Sequence, residues 1–315
     1  MSDCNINTTF KNISSINNDL LLNILESNLK HYLDWAFLNI GAWFDVRISN
    51  ETIYATNSHY KLLPVEDPSY IDGQVWQGIR KDWVWENGIV YHDSSPMVIG
   101  NIYVNGTPIY SGFVIDYPNG RILFDSPIST SSTVSLEYSY RFVQVYRAND
   151  APWFNLLQYS SFRTDSLDIK QTDKGDWSIG NYHRVQMPCI IIESLPRSRS
   201  LPYELGSGSL VLEQDIMMYI FTENKNDRNK LLDIIRVQQD GVIYLYDTNR
   251  VAQDDNYALD YNGSLKPGAL MYPDLVTNYA WRKCWLKNIS LTELSTQHPN
   301  LHSGAARITA EIIYA

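Results

Sequence analysis

The side chains able to do chemistry are scattered along this chain. Of its six histidines, His31, His59, His92, His183, His298 and His302, only the last two have metal-ligand spacing. Pro299 between them argues against a helical turn that would converge them, so a surface loop is the better reading. There is no His-Glu-x-x-His, no Cys-x-x-Cys and no calcium-loop spacing. Gly206-Ser207-Gly208-Ser209 resembles a phosphate cradle, but the third glycine and the lysine are missing and a strand follows where a helix should, so it reads as a turn. Acidic pairs such as Glu66-Asp67 and Asp254-Asp255 could serve a glycosidase, which needs two carboxyl groups roughly 5 to 10 Å apart. Among 35 acidic residues, however, such pairs arise by chance.

Trp76, Trp83 and Trp85 crowd together, and the alternation of Trp83 with Trp85 places both indoles on one face of a strand. They could stack on a sugar ring with Glu86 as an acid; filling a core or a subunit interface is the preferred reading. Arg197 and Arg199 form the one local basic patch, read as a solvated loop. Cys4, Cys189 and Cys284 are far apart and odd in number, which suggests reduced thiols rather than a disulfide framework or a zinc site. No catalytic residue, cofactor or metal is expected.

With 315 residues, 44% of them hydrophobic and 19% charged, the chain can bury a substantial core and accommodate two domains. A net charge of -10 without a long Lys/Arg cluster argues against coating nucleic acid. The start lacks the basic and apolar regions of a signal peptide and no run approaches the roughly 18 apolar residues of a membrane span, so synthesis in the cytoplasm and no membrane partner are expected. Asn-x-Ser/Thr triplets at Asn50 and Asn288 are then chance matches. The 22 Tyr and 9 Trp suit an assembly subunit or a sugar binder, since both side chains join a large apolar area to a polar edge.

Residues 1–18 are polar and read as a flexible arm. Leu21, Leu25, Leu29, Leu33 and Phe37 predict a core helix over Asp19–Ile40, followed by a short strand at Asp45–Ile48. Strands are expected at Val98–Val104, Gly112–Asp116, Arg121–Phe124 and Val134–Tyr146, separated by Asn105-Gly106, Asn119-Gly120 and Ser129–Ser132. In the last strand Val134, Leu136, Tyr138 and Tyr140 alternate with Ser135, Glu137, Ser139 and Arg141, the pattern of a half-buried antiparallel strand. Residues 147–186 follow no clear pattern. Strands at Cys189–Ile192 and Ile216–Phe221, a helix over Lys225–Gln239 capped by Asn224 or Asn226 and stopped at Asp240-Gly241, and a strand from Gly241 then form a strand, strand, helix, strand unit. Its Leu231, Ile234 and Ile235 share one face and its charged residues mostly point away from the sheet. Two late strands, Ala280–Leu291 and Ala306–Ala315, complete the sheet.

The unit from Met187 to Asp247 resembles the small α/β module of tail-terminator and neck proteins of long-tailed bacteriophages, and Ile115–Pro127 is similar to β modules of virion structural proteins. The expected fold is α+β and β-rich, with an antiparallel β-sandwich or barrel-like insertion and a helix-backed mixed sheet. Four segments are expected: an arm (1–18), a helix and strand that pack with the C-terminal domain (19–48), an inserted β-rich domain (49–186) and the α/β domain (187–315). The resemblance implies a virion structural subunit, not an enzyme, that forms a homo-oligomeric ring in the neck or upper tail. Its partners would be other virion proteins, and an acidic lumen would let DNA pass by like-charge repulsion. The alternative is a carbohydrate-binding tail or baseplate component with Trp76, Trp83 and Trp85 as its platform; an ordinary cytosolic enzyme is the third reading.

Overall fold

The computed structural model describes residues 15–49, 53–54, 57–159, 169–172, 176–180, 183–204, 209–294 and 298–314. Most of the expected N-terminal arm, Cys4 and Gly206 to Gly208 lie outside them.

The apolar spacing of the first helix produces α1 (Leu21–Asn39), with Leu25, Leu29, Leu33 and Phe37 buried. Asp19, expected inside the helix, instead ties its start to the first turn of a later short helix: its backbone N–H reaches Asn249 Oδ1 at 2.7 Å and its carboxylate accepts from Thr248 Oγ1 at 2.9 Å. Gly41, at φ +79°, then turns the chain, and any side chain there would strike the Tyr91 ring. The strand that follows, β1 (Trp43–Val46), therefore leaves the helix and pairs with the β-rich region rather than with the C-terminal sheet, contrary to the sequence expectation.

That region begins with the ribbon β2 (Ile53–Tyr54) and β3 (Asn57–Ser58). Then come β4 (Lys61–Pro64), β5 (Val75–Gln77), β6 (Ile102–Val104), β7 (Thr107–Ile109), β8 (Phe113–Asp116), β9 (Arg121–Phe124) and β10 (Val134–Leu136). They form one antiparallel sheet in the order β7-β6-β10-β4-β5-β9-β8, curled round a core that includes Trp76, Trp83, Ile122 and Tyr138. Asn105 and Gly106, both at positive φ, make the two-residue turn between β6 and β7.

The segment read as a single strand from Val134 to Tyr146 is three. After β10 come β11 (Tyr138–Arg141), which pairs with β1, and β12 (Gln144–Arg147), which lies parallel to the first long strand of the C-terminal sheet. One extended run thus passes through three sheets. Its polar side is not solvated: Ser135, Ser139 and Arg141 are buried because other elements cover that side as well. Next, α2 (Pro152–Tyr159) and the small sheet of β13 (Ile169–Gln171), β14 (Trp177–Ile179) and β15 (His183–Val185) pack Trp153, Phe154 and Trp177 against Cys189, Ile191 and Phe221. The expected boundary at residue 187 is corrected accordingly. β12 is a strand of the C-terminal sheet, and α2 with the small β13–β15 sheet covers part of its second face.

The main sheet adds β16 (Cys189–Pro202), β17 (Leu210–Thr222), β18 (Val242–Tyr246), β19 (Ala280–Glu293) and β20 (His302–Tyr314). Its order is β12-β16-β17-β20-β19-β18, antiparallel except for β12 against β16. Between β17 and β18 lies α3 (Lys225–Arg236), capped by the Asn224 side chain, which accepts from Asp227 N at 2.8 Å. Arg228 on α3 does not point away from the sheet; it is buried and paired with Glu293 at the end of β19. Short helices α4 (Thr248–Gln253) and α5 (Tyr272–Asn278) fill the connection to β19.

α1 touches both margins of this sheet. Glu26 accepts from the backbone N–H of Ser194 on β16 at 2.7 Å. Two residues on, Asn28 donates to Tyr246 O at 3.0 Å and accepts from Tyr246 N at 2.8 Å on the edge strand β18. One helix about 10 Å across can reach both only if the sheet curls around it. Because Asn28 is fully buried, Asn28→Ala leaves the Tyr246 N–H and C=O without partners. That substitution is expected to cost roughly 1–3 kcal/mol, read as a lower urea midpoint with an unchanged slope.

Candidate functional site

A cavity of about 510 Å³ opens between α1, residues 82–86 of the β module, the β11–β12 segment and the loop 257–275. Arg141 is its centre. The side chain is 5% exposed; Nη1 donates to Trp83 O at 3.1 Å and to Asp82 Oδ1 at 3.3 Å, and Nη2 binds Glu86. The surrounding structure forces this pairing: Arg141 ends β11 inside the seam, and a guanidinium there without carboxylates would be a bare charge in an apolar setting. Burial pushes the Glu86 carboxyl up, and the Arg141 charge pulls it back toward ionisation.

Asp34 on α1 faces the same cavity, with Oδ1 buried and unpaired. Burial raises its carboxyl to about 7, against the opposing pull of Arg141 and Lys30. His31, one turn earlier, is held neutral by burial, its pKa pushed down to about 3, and its Nδ1 shares a hydrogen bond of 2.6 Å with Tyr246 Oη. The lining holds no serine, threonine or cysteine; its hydroxyls are those of Tyr117, Tyr146, Tyr257 and Tyr272. Glu86 is locked to Arg141 and barely exposed, which leaves it unable to act as the second free carboxylate of a glycosidase pair. What the arrangement does is tie the end of β11 to residues 82–86 through charge, with the Asp34 carboxyl of α1 facing the same cavity.

Of the residues singled out by sequence, His31, Trp83, Trp85 and Glu86 line this cavity and the others lie elsewhere. Trp76 and Trp83 are 1% and 0% exposed, and their indole N–H groups each donate to a local carbonyl, Gly73 O and Arg80 O, both at 2.8 Å. Trp83 packs 4.7 Å from the Tyr138 ring. Trp83 and Trp85 do not alternate on a strand; Trp83 makes an isolated bridge to Tyr140, and Trp85 lines the cavity. Trp76 and Trp83 are therefore core, the preferred reading, and the alternative sugar platform loses them. Alternating aromatics read alike in both cases, and only neighbouring strands decide. Asp67 is paired with Arg121 and Asp255 with Lys266, so those acids stabilise loops. His298 packs edge-on against Trp177, and among the described residues no cluster of three His, Cys, Asp or Glu could hold a metal. Cys189 and Cys284 are buried, and burial pushes both thiols up, Cys284 to about 12, well away from a reactive thiolate. The sequence offered no signal for Arg141 or Asp34 beyond two charges set in apolar surroundings.

Arg197 and Arg199 lie on the exposed half of β16, where Arg197 Nε is 3.5 Å from Asp215 Oδ2 and Arg199 stands opposite Glu213. They belong to the outer face of the main sheet. At the Cys189 end that face is covered by α2 and the small sheet, and toward Pro202 it is open. On the open half, a transverse row runs Tyr244, Lys283, Ile313, Val211, Leu201 across five strands, with Trp285 beside it. Tyr244 is 51% exposed and Ile313 46%. Below them Lys287 pairs with Glu213 at 2.9 Å and Glu311 at 3.0 Å, and Arg307 reaches Asp215 at 2.5 Å.

Among the described residues no helix is long and apolar enough to cross a membrane. Compared with models of known protein families and with curated proteins, the chain matches none. Fold and site define the class: an α+β, β-rich protein in which a helix-backed mixed sheet is joined to a curled antiparallel module.

Two outcomes follow from the seam. Arg141→Met, which strands Glu86 and Asp82, is expected to cost about 3–5 kcal/mol in urea unfolding, with much of it recovered by adding Glu86→Gln. Asp34 binds its proton more tightly folded than unfolded, so its contribution to stability falls as pH rises from roughly 4 to about 7. Asp34→Asn should therefore match the parent at pH 4 and exceed it in melting temperature at pH 8; an equal difference at both pH values would refute this.

Proposed function

We propose that the protein is a non-catalytic structural subunit that assembles with copies of itself, of the kind that forms a ring in the neck or upper tail of a bacteriophage particle. The observation that carries this reading is the open half of the main sheet, where Tyr244, Trp285, Ile313 and Val242 form an exposed apolar band across strands that are otherwise well ordered. Exposed bands of this sort on a folded sheet mark protein contact surfaces.

Two further features support it. The sheet margins are poor templates for adding strands: Asn28 and the Tyr272 hydroxyl occupy backbone groups of β18, and Glu26, Pro196 and Pro202 interrupt that of β16. Directional hydrogen bonds tie the β module to the main sheet through Gln186, which accepts from Lys81 N at 3.0 Å and from Gln144 Nε2 of β12 at 2.8 Å and donates to Ile79 O at 2.9 Å. The glycan-binding reading loses its platform once Trp76 and Trp83 are core.

Native mass spectrometry of the purified full chain is expected to give a discrete oligomer of the 36.3 kDa subunit, and protein mass spectrometry of purified phage particles should find the chain in them. A strict monomer at tens of micromolar, absent from particles, would end the proposal.

A further inference from the structure

We infer that copies of this chain meet head to tail, the open outer face of the main sheet of one copy docking on the acidic loop face of the β module of the next. This rests on the assembly reading above and deepens it by naming the two surfaces.

The first surface is basic on an acidic molecule. Arg197, Arg199, Lys283, Lys287 and Arg307 outnumber Glu193, Glu213, Asp215 and Glu311 there, although the chain as a whole carries a net charge of -10. The sheet curls around α1, so this outer face is convex. With strands about 4.8 Å apart and residues about 3.4 Å apart, the open half of five strands presents a footprint of roughly 600 Å². That approaches the roughly 800 Å² per partner of a specific interface.

The second surface has the opposite character. Around a concavity of about 390 Å³, Asp67, Asp116 and Asp260 gather with Arg121 as the one cation of the lining. The loop that flanks it adds exposed Glu66 and Asp72. Its apolar groups are also uncovered: Ile71 is 65% exposed and Tyr261 94%. A convex basic and apolar face thus has a concave acidic and apolar counterpart on the same chain.

The two cannot meet within one molecule. α1 packs Leu29 and Leu33 on the main sheet, whereas Asp34 and Leu38 face the β module, so the module lies behind the helix and the outer sheet face points away from it. A two-fold arrangement of sheet face on sheet face would leave the acidic loop face unmatched. Head-to-tail contact pairs opposite charges and, repeated by a closing rotation, gives a ring.

The test uses exposed charges outside the cores. Arg199→Glu/Lys283→Glu reverses the sheet face, and Glu66→Lys/Asp72→Lys reverses the loop face. Each double variant, with an unchanged circular dichroism spectrum and melting temperature, is expected to associate at least about tenfold more weakly in sedimentation velocity. A one-to-one mixture of the two should regain the parent's association, because each reversed face then finds a reversed partner. An oligomeric parent that neither double variant weakens, or a mixture that stays dissociated, overturns the head-to-tail contact while leaving assembly itself standing. A monomeric parent would overturn both.

Discussion

The hydrogen bonds from one turn of α1 to both margins of the main sheet organise everything else. Glu26 holds Ser194 on β16 and Asn28 holds Tyr246 on β18, so the helix acts as a peg about which the sheet is curled. Apolar contacts from Leu25, Leu29 and Leu33 supply most of the burial, but they are non-directional and would tolerate a flatter sheet. The polar pair sets the curvature because an unpaired backbone group in that position is costly. With its margins occupied, the sheet has its outer face left for contact with other molecules.

The same helix carries the seam. Its flank opposite the sheet presents His31 and Asp34 to the cavity, where Arg141 arrives from the extended run that threads the three sheets. A buried guanidinium surrounded by Glu86, Asp82 and the Trp83 carbonyl is a weak source of net stability compared with an apolar filling of the same space. Its effect is orientation: directional bonds fix residues 82–86 against the end of β11, on the wall of the cavity that α1 also lines.

The aromatic richness divides into two populations. Trp76, Trp83, Trp177 and Tyr138 are spent on cores, each with its polar atom bonded locally or across the layer. Tyr244, Trp285 and Tyr261 remain in solvent, two of them under lysine ammonium groups that sit 5.1 and 5.8 Å from the ring centres. Composition alone pools these populations, which is why the tryptophan cluster invited a binding role that burial removes.

Local pattern determined a good deal of this protein without help. The four-residue spacing of leucines specified α1, the Asn224 cap specified the start of α3, which ends at Arg236 rather than at the expected Gln239, and Asn105-Gly106 specified its hairpin, because each depends on neighbours in sequence. The β-rich α+β class followed from those elements. Only the tertiary structure decided that the run from Val134 to Arg147 serves three sheets, that β1 leaves its helix for the module, that Arg141 and Asp34 share a cavity, and that Trp83 is core while Trp285 is surface. Strand partners, burial and the environment of a charge are set by residues far away in the chain, and periodicity carries no information about which distant surface will cover a given side chain.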